Sequence, residues 1–160
     1  MQRARVRLVT QPRWLDATEE RAWRGWIDST RRIDAAIEHQ LRADTGLTGD
    51  DYEVLVRLSE APERRMRMTE LADAVTNSPS RISQRIDRLE RDGLVCRSRC
   101  PNDGRAFHAV LTDEGFTKLK AAAPGHVATV RRHLIDRLTQ DEVRFLAELM
   151  PRLTESVDCD

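Results

Sequence analysis

The sequence predicts a mainly α-helical chain interrupted by one small β-hairpin. Three observations predict it. Aromatic residues make up only 4% and charged residues 34% of the 160 residues, which suits thin helical layers rather than a sandwich rich in aromatic and β-branched side chains. Apolar residues recur every three to four positions in segment after segment, each opened by a capping residue. Two β-like runs, 94–99 and 106–111, flank the turn-forming stretch Cys100-Pro101-Asn102-Asp103-Gly104-Arg105. The length suits one domain, alone or with an attached dimerisation element, and is too short for a barrel enzyme.

Residues 1–15 read as a basic arm, in which Arg3, Arg5 and Arg7 alternate with Ala4, Val6 and Leu8. A disordered tail and a DNA- or partner-contacting arm are both open readings. Asp16 with Glu19 then opens a long helix. Its stripe is Trp23, Trp26, Thr30, Ile33, Ile37 and Leu41, and Gly46 terminates it. Thr48 caps a second helix with Asp50 and Asp51 in its first turn. Tyr52, Leu55, Val56 and Leu58 face its core, and Pro62 ends it. Residues 63–67 read as a charged connection, and Thr69 as the cap of a short helix carrying Leu71, Ala72 and Val75. After a turn, Ser78 and Pro79 supply the cap and first residue of a fourth helix that runs to Gly93. The hairpin follows. Thr112-Asp113-Glu114 opens the next helix, which Pro124 should kink or break. Thr139 and Glu142 form a capping box for the last, with Val143, Leu146, Leu149 and Leu153 at helical spacing.

Basic and acidic residues cancel at 27 each, so global charge names no partner. Among the basic residues only Lys118 and Lys120 are lysines. Arg suits planar recognition of phosphate and guanine, although a GC-rich genome gives the same bias. No apolar window reaches the ~18 residues of a membrane span, and the N-terminus lacks a signal-peptide core. The chain is therefore expected in the cytoplasm. Three cysteines argue against a disulfide framework. Cys96 and Cys100, if extended, lie ~13 Å apart, too far for a bridge.

Two short helices joined by a tight turn and followed directly by a hairpin describe a winged helix-turn-helix. Ile82, Ile86 and Leu89 share the buried face of its second helix. Ser80, Arg81, Gln84, Asp87, Arg88 and Arg91 lie opposite, with Arg85 at the flank. Small serines let a helix N-terminus approach a groove, Arg reads guanine and Gln reads adenine. A plain solvated face is the competing reading. From 78 to 105, seven arginines stand against four acids, a local surplus of +3 in a neutral chain. Arg97 and Arg99 alternate on one strand. Arg105 sits at the hairpin tip, where it can enter a narrow minor groove, and Asp103 can orient it. The candidate DNA contacts are thus Ser78, Ser80, Arg81, Ser83, Gln84, Arg85, Arg88, Arg97, Arg99, Asp103 and Arg105.

These residues resemble the MarR family of transcriptional regulators over about 16–155. The resemblance rests on Met68-Thr69-Glu70-Leu71-Ala72, on the run from Ser83 to Val95, on Pro101-Asn102-Asp103-Gly104-Arg105 with its Asp-x-Arg wing signature, and on Leu111-Thr112-Asp113-Glu114-Gly115. It implies a homodimer with a helical dimerisation region at 16–46 and 112–157 and a winged helix-turn-helix at 47–111. It implies a pseudo-palindromic operator in double-stranded DNA, with recognition helices in successive major grooves and wings in flanking minor grooves. It also implies a repressor released by a small effector, often aromatic or anionic, bound between the dimer helices and the winged helix. Two departures stand out: Arg85, where many members are apolar, and the basic arm before Trp14.

A dimer is also expected on energetic grounds, because joining two half-sites can add ~10²–10⁴ in affinity. Trp26, Thr30, Ile33, Tyr52 and Leu55 are the effector-pocket candidates, although their spacing is equally that of a core stripe. A redox-responsive alternative would use Cys96 and Cys100 near arginines that lower a thiol pKa; Cys159 is a further thiol. His39, His108, His126 and His133 show no metal-ligand spacing, so no metal or other cofactor is expected. No phosphate loop or nucleophile–base motif marks an enzyme. A winged-helix protein-interaction module is the alternative of another class, and the Arg-rich face of the fourth helix weighs against it.

Overall fold

The computed structural model describes residues 12–75, 78–100 and 103–155, apart from the side chains of Cys100, 103–106 and Glu155. The described part is mostly helical with a small antiparallel sheet, as the sequence predicts. The arm residues 1–11 and Cys159 lie outside the described residues. The chain divides into two compact units, Met1–Arg32 and Ile33–Asp160.

The first unit holds the start of helix α1 (Ala17–Thr45). Asp16 caps it as expected. Its Oδ1 accepts from the Thr18 and Glu19 amides at 2.7 and 2.9 Å, and Glu19 Oε2 accepts from the Asp16 amide at 2.9 Å. Trp14, Trp23 and Trp26 are all exposed here.

In the second unit α1 ends at Gly46, whose φ of 74° favours glycine. Helix α2 (Gly49–Glu60) begins with a closed capping box. The Asp51 amide donates to Thr48 Oγ1 at 3.0 Å, and the Thr48 amide donates to Asp51 Oδ2 at 3.1 Å. A 3₁₀ turn (Pro62–Arg64) follows. The segment read as a charged connection is in part a strand, β1 (Arg65–Arg67). Helix α3 (Met68–Ala74) starts one residue before Thr69, because the Arg67 amide finds the Glu70 carboxylate at 3.2 Å and Arg67 becomes the cap.

Helix α4 (Pro79–Arg91) is capped by Ser78, which accepts from the Arg81 amide at 3.4 Å. Strands β2 (Val95–Cys100) and β3 (Asp103–Leu111) form the expected hairpin. The sheet has three strands in the order β1-β3-β2, with Met66 opposite Ala109 and Arg97 opposite the same residue. Helix α5 (Asp113–His133) begins at the Thr112 cap and runs through Pro124 without the expected break. The carbonyl that Pro124 leaves without a helical donor belongs to the exposed Lys120, where solvent can take the bond. After a second 3₁₀ turn (Ile135–Arg137), α6 (Gln140–Glu155) opens on the Thr139–Glu142 box, whose backbone bonds are 2.7 and 3.3 Å.

The core gathers Leu41, Leu55, Leu58, Leu71, Ile82, Ile86, Leu89 and Val95, each at most 1% exposed. It closes around Gly115, whose Cβ would stand 2.1 Å from the Leu94 carbonyl oxygen. Only a glycine lets α5 leave the sheet so close to β2. No helix among the described residues is long and apolar enough to cross a membrane.

Candidate nucleic-acid interface

The interface candidate is built on α4. Ile82, Ile86 and Leu89 are buried, so the helix cannot turn without exposing its anchor. The opposite face is therefore fixed outward. Ser78, Ser80, Arg81, Gln84 and Arg91 are exposed, and Ser83 and Arg88 are half-buried. Arg81, Gln84, Arg85, Arg88 and Arg91 line one open concavity with no acid in its wall.

The arginines differ in what they touch. Arg85 reaches back to α2, where it pairs with Asp50 and, at 3.4 Å, with Asp51; its side chain is only 14% exposed. Arg88 also pairs with Asp51 yet remains 43% exposed, against 5% for the Asp51 side chain. Arg97 of β2 turns inward. Its guanidinium forms an ion pair with Asp87 at 2.6 Å and donates to Glu90 at 2.8 Å and to the Ser83 carbonyl at 3.1 Å. Its own amide donates to Glu90 at 2.8 Å. This knot ties β2 to the side of α4 that carries Ser83, Asp87 and Glu90. Arg99 is exposed further along the strand. The side chains of Asp103 and Arg105 lie outside the described residues, as does that of Cys100.

Asp50, Asp51 and Glu90 were not singled out as site residues from the sequence. The signal was present in Arg85, a cation at a helix position expected to be apolar. A charge there requires a partner from a neighbouring element.

The effector candidates fall in both units. Trp26 is exposed, and the Thr30 hydroxyl donates to its carbonyl at 2.9 Å. In the second unit, Leu55 is fully buried core and Ile33 is half-buried. The Tyr52 ring lies 4.4 Å from that of His126, and burial raises the Tyr52 pKa and lowers that of His126. A concavity near Ile37 is walled by Asp34, Glu38, Asp50 and Glu53, a lining that repels anions. Cys96 is exposed and unbridged.

Comparison with known proteins gives a consistent set of relatives. The MarR family model matches residues 47–107. The HTH-type transcriptional repressor YetL of Bacillus subtilis (strain 168) is 29% identical over 143 residues, 88% of this chain and 85% of that protein. Sco3205 of Streptomyces coelicolor, a MarR family transcriptional regulator solved in complex with DNA, is 43% identical, with a TM-score of 0.88 over 91% of each chain. AbsC, a MarR family transcriptional regulator of the same organism, is 41% identical with a TM-score of 0.88, covering 93% of this chain and 100% of that one.

Proposed function

The chain belongs to the MarR family, and on that premise we propose that it is a homodimeric transcriptional regulator binding a pseudo-palindromic operator as a repressor. One observation carries this reading: α4 holds Arg81, Gln84, Arg88 and Arg91 around one outward concavity, above a face that is wholly buried. In this reading Arg81 and Gln84 read base edges in the major groove, and Ser78 and Ser80 let the helix N-terminus approach. Arg99 and Arg105 serve the wing, Arg105 in the minor groove with Asp103 to orient it. Arg85 and Arg97, whose guanidinium groups face acids of the chain itself, act as scaffold.

Residues 47–111 form the DNA-binding part, and 16–46 with 112–157 the dimerisation part. Two copies then reach half-sites about one helical turn, roughly 10 bp, apart. A small-molecule effector relieves repression. The acidic wall near Ile37 favours a neutral or cationic molecule over an anion at that concavity.

The test is a binding titration against promoter DNA flanking the protein's own gene, with random DNA as control, at two salt concentrations. Tight, salt-dependent binding with a clear preference for the promoter is expected. Equal, weak binding to both would overturn the reading.

A further inference from the structure

We propose that Asp51, a buried residue of α2 outside the concavity of α4, is a positioning residue for operator reading and acts through Arg88. The inference rests on the reading of α4 as the DNA-contacting helix. Its basis is the division of labour between the two oxygens of one carboxylate. Oδ2 accepts the Thr48 amide and closes the capping box of α2. Oδ1 accepts from Arg88 and, at 3.4 Å, from Arg85.

Asp51 is a rigid anchor. Its side chain is 5% exposed, its backbone is set by the first turn of α2, and its own amide is held by Thr48 at 3.0 Å. Arg88 is a long side chain that would otherwise sample many rotamers. Held at one nitrogen, it stays 43% exposed and lines the same concavity as Arg81 and Gln84. That arrangement removes an ordering penalty before DNA arrives. Arg85 completes the clamp, with Asp50 as its second acceptor.

The proposal makes a prediction of opposite sign to simple electrostatics. Neutralising an acid beside a phosphate-facing surface should strengthen DNA binding by charge alone. If Asp51 positions Arg88, Asp51→Asn weakens binding instead, by about tenfold, the usual scale of a charged hydrogen bond.

The experiment measures the affinity of the full-length protein for a duplex that the wild type enriches from a randomised library. Four proteins are compared: wild type, Asp51→Asn, Arg88→Ala and the double variant, each checked for native circular dichroism. The expected result is a loss for each single variant and no further loss in the double variant. Asp51→Glu is the second route should the Asn variant fail to fold. Glu is a natural capping-box residue and preserves the helix start, but it displaces the anchor by one methylene. It should melt like wild type and still bind the duplex more weakly. Unchanged or tighter binding by Asp51→Asn, or additive losses in the cycle, would overturn the proposal. Failure of the wild type to enrich any duplex would overturn the reading of α4 itself, and the positioning role with it.

Discussion

At Asp51, burial disfavours the charged carboxylate. Hydrogen bonds from Thr48 and Arg88 outweigh it and hold the group below its ordinary value of 3.8. A folded-state pKa below the unfolded one gives stability that is complete above the unfolded value. That stability is lost as pH falls through the folded value. Asp51→Asn is therefore expected to cost about 1–3 kcal/mol at neutral pH, with the deficit against wild type closing in acid. Thermal melts from pH 7 to pH 2 check this, and a deficit constant across that range would contradict it. Arg81→Ala tests the other kind of arginine, the kind with an open donor face. It should cost ~1–3 kcal/mol on the selected duplex and relax base preference at one position. Equal losses on selected and random DNA would reduce Arg81 to a phosphate contact. Which arginine is which could not be read from the sequence. Arg88 finds its partner 37 residues away, and spacing along one helix is silent about pairs between helices.

At the level of elements, local signals were the legible ones. The boxes at Asp16–Glu19 and Thr139–Glu142, the Thr48 and Ser78 caps, and the glycines at 46 and 93 lie within a few residues of what they govern. β1 was illegible for the opposite reason. Arg65-Met66-Arg67 holds one apolar residue, and it is a strand only because β3 lies beside it, with Met66 opposite Ala109. Thr69 was misread as a cap because Glu70 could serve the Arg67 amide just as well. Two glycines give a paired test of the element contacts. Gly115→Ala drives a methyl into the Leu94 carbonyl, with 2.1 Å between them, and should destabilise the protein by several kcal/mol, beyond the ~1–3 kcal/mol typical of overpacking. Gly25→Ala, with nothing within 4 Å of its Cβ, should stabilise α1 by up to ~1 kcal/mol. Chemical denaturation of both measures the contrast, and similar effects of equal sign would refute the close approach.

For the whole molecule, the exposed apolar residues set the expectation of association. Phe145 and Leu153 are 60% and 46% exposed on α6, and Trp14 and Trp23 are 84% and 55% exposed in the first unit. Large side chains left in water at that frequency favour association. Under the dimer proposal, sedimentation should report twice the 18.4 kDa chain mass. Phe145→Arg combined with Leu153→Arg should give single chains and lower operator affinity by ~10²–10⁴, since the second half-site is no longer tethered. A wild type that sediments as one chain at micromolar concentration would contradict the proposal.

The sheet determines what such association cannot be. Its two outer strands are β1 and β2. An open strand edge is a template on which another chain can add, and repeated addition leads toward fibrils. β1 offers only three residues, with Arg65 and Arg67 both exposed, and β2 bears Arg97 and Arg99 in alternation. A copy approaching β1 would set arginine against arginine along a three-residue ladder, and one approaching β2 would meet the exposed Arg99. Among the described residues, strand addition is therefore disfavoured at β1 and at the outer half of β2, and exposed helical surfaces are the better route to self-recognition.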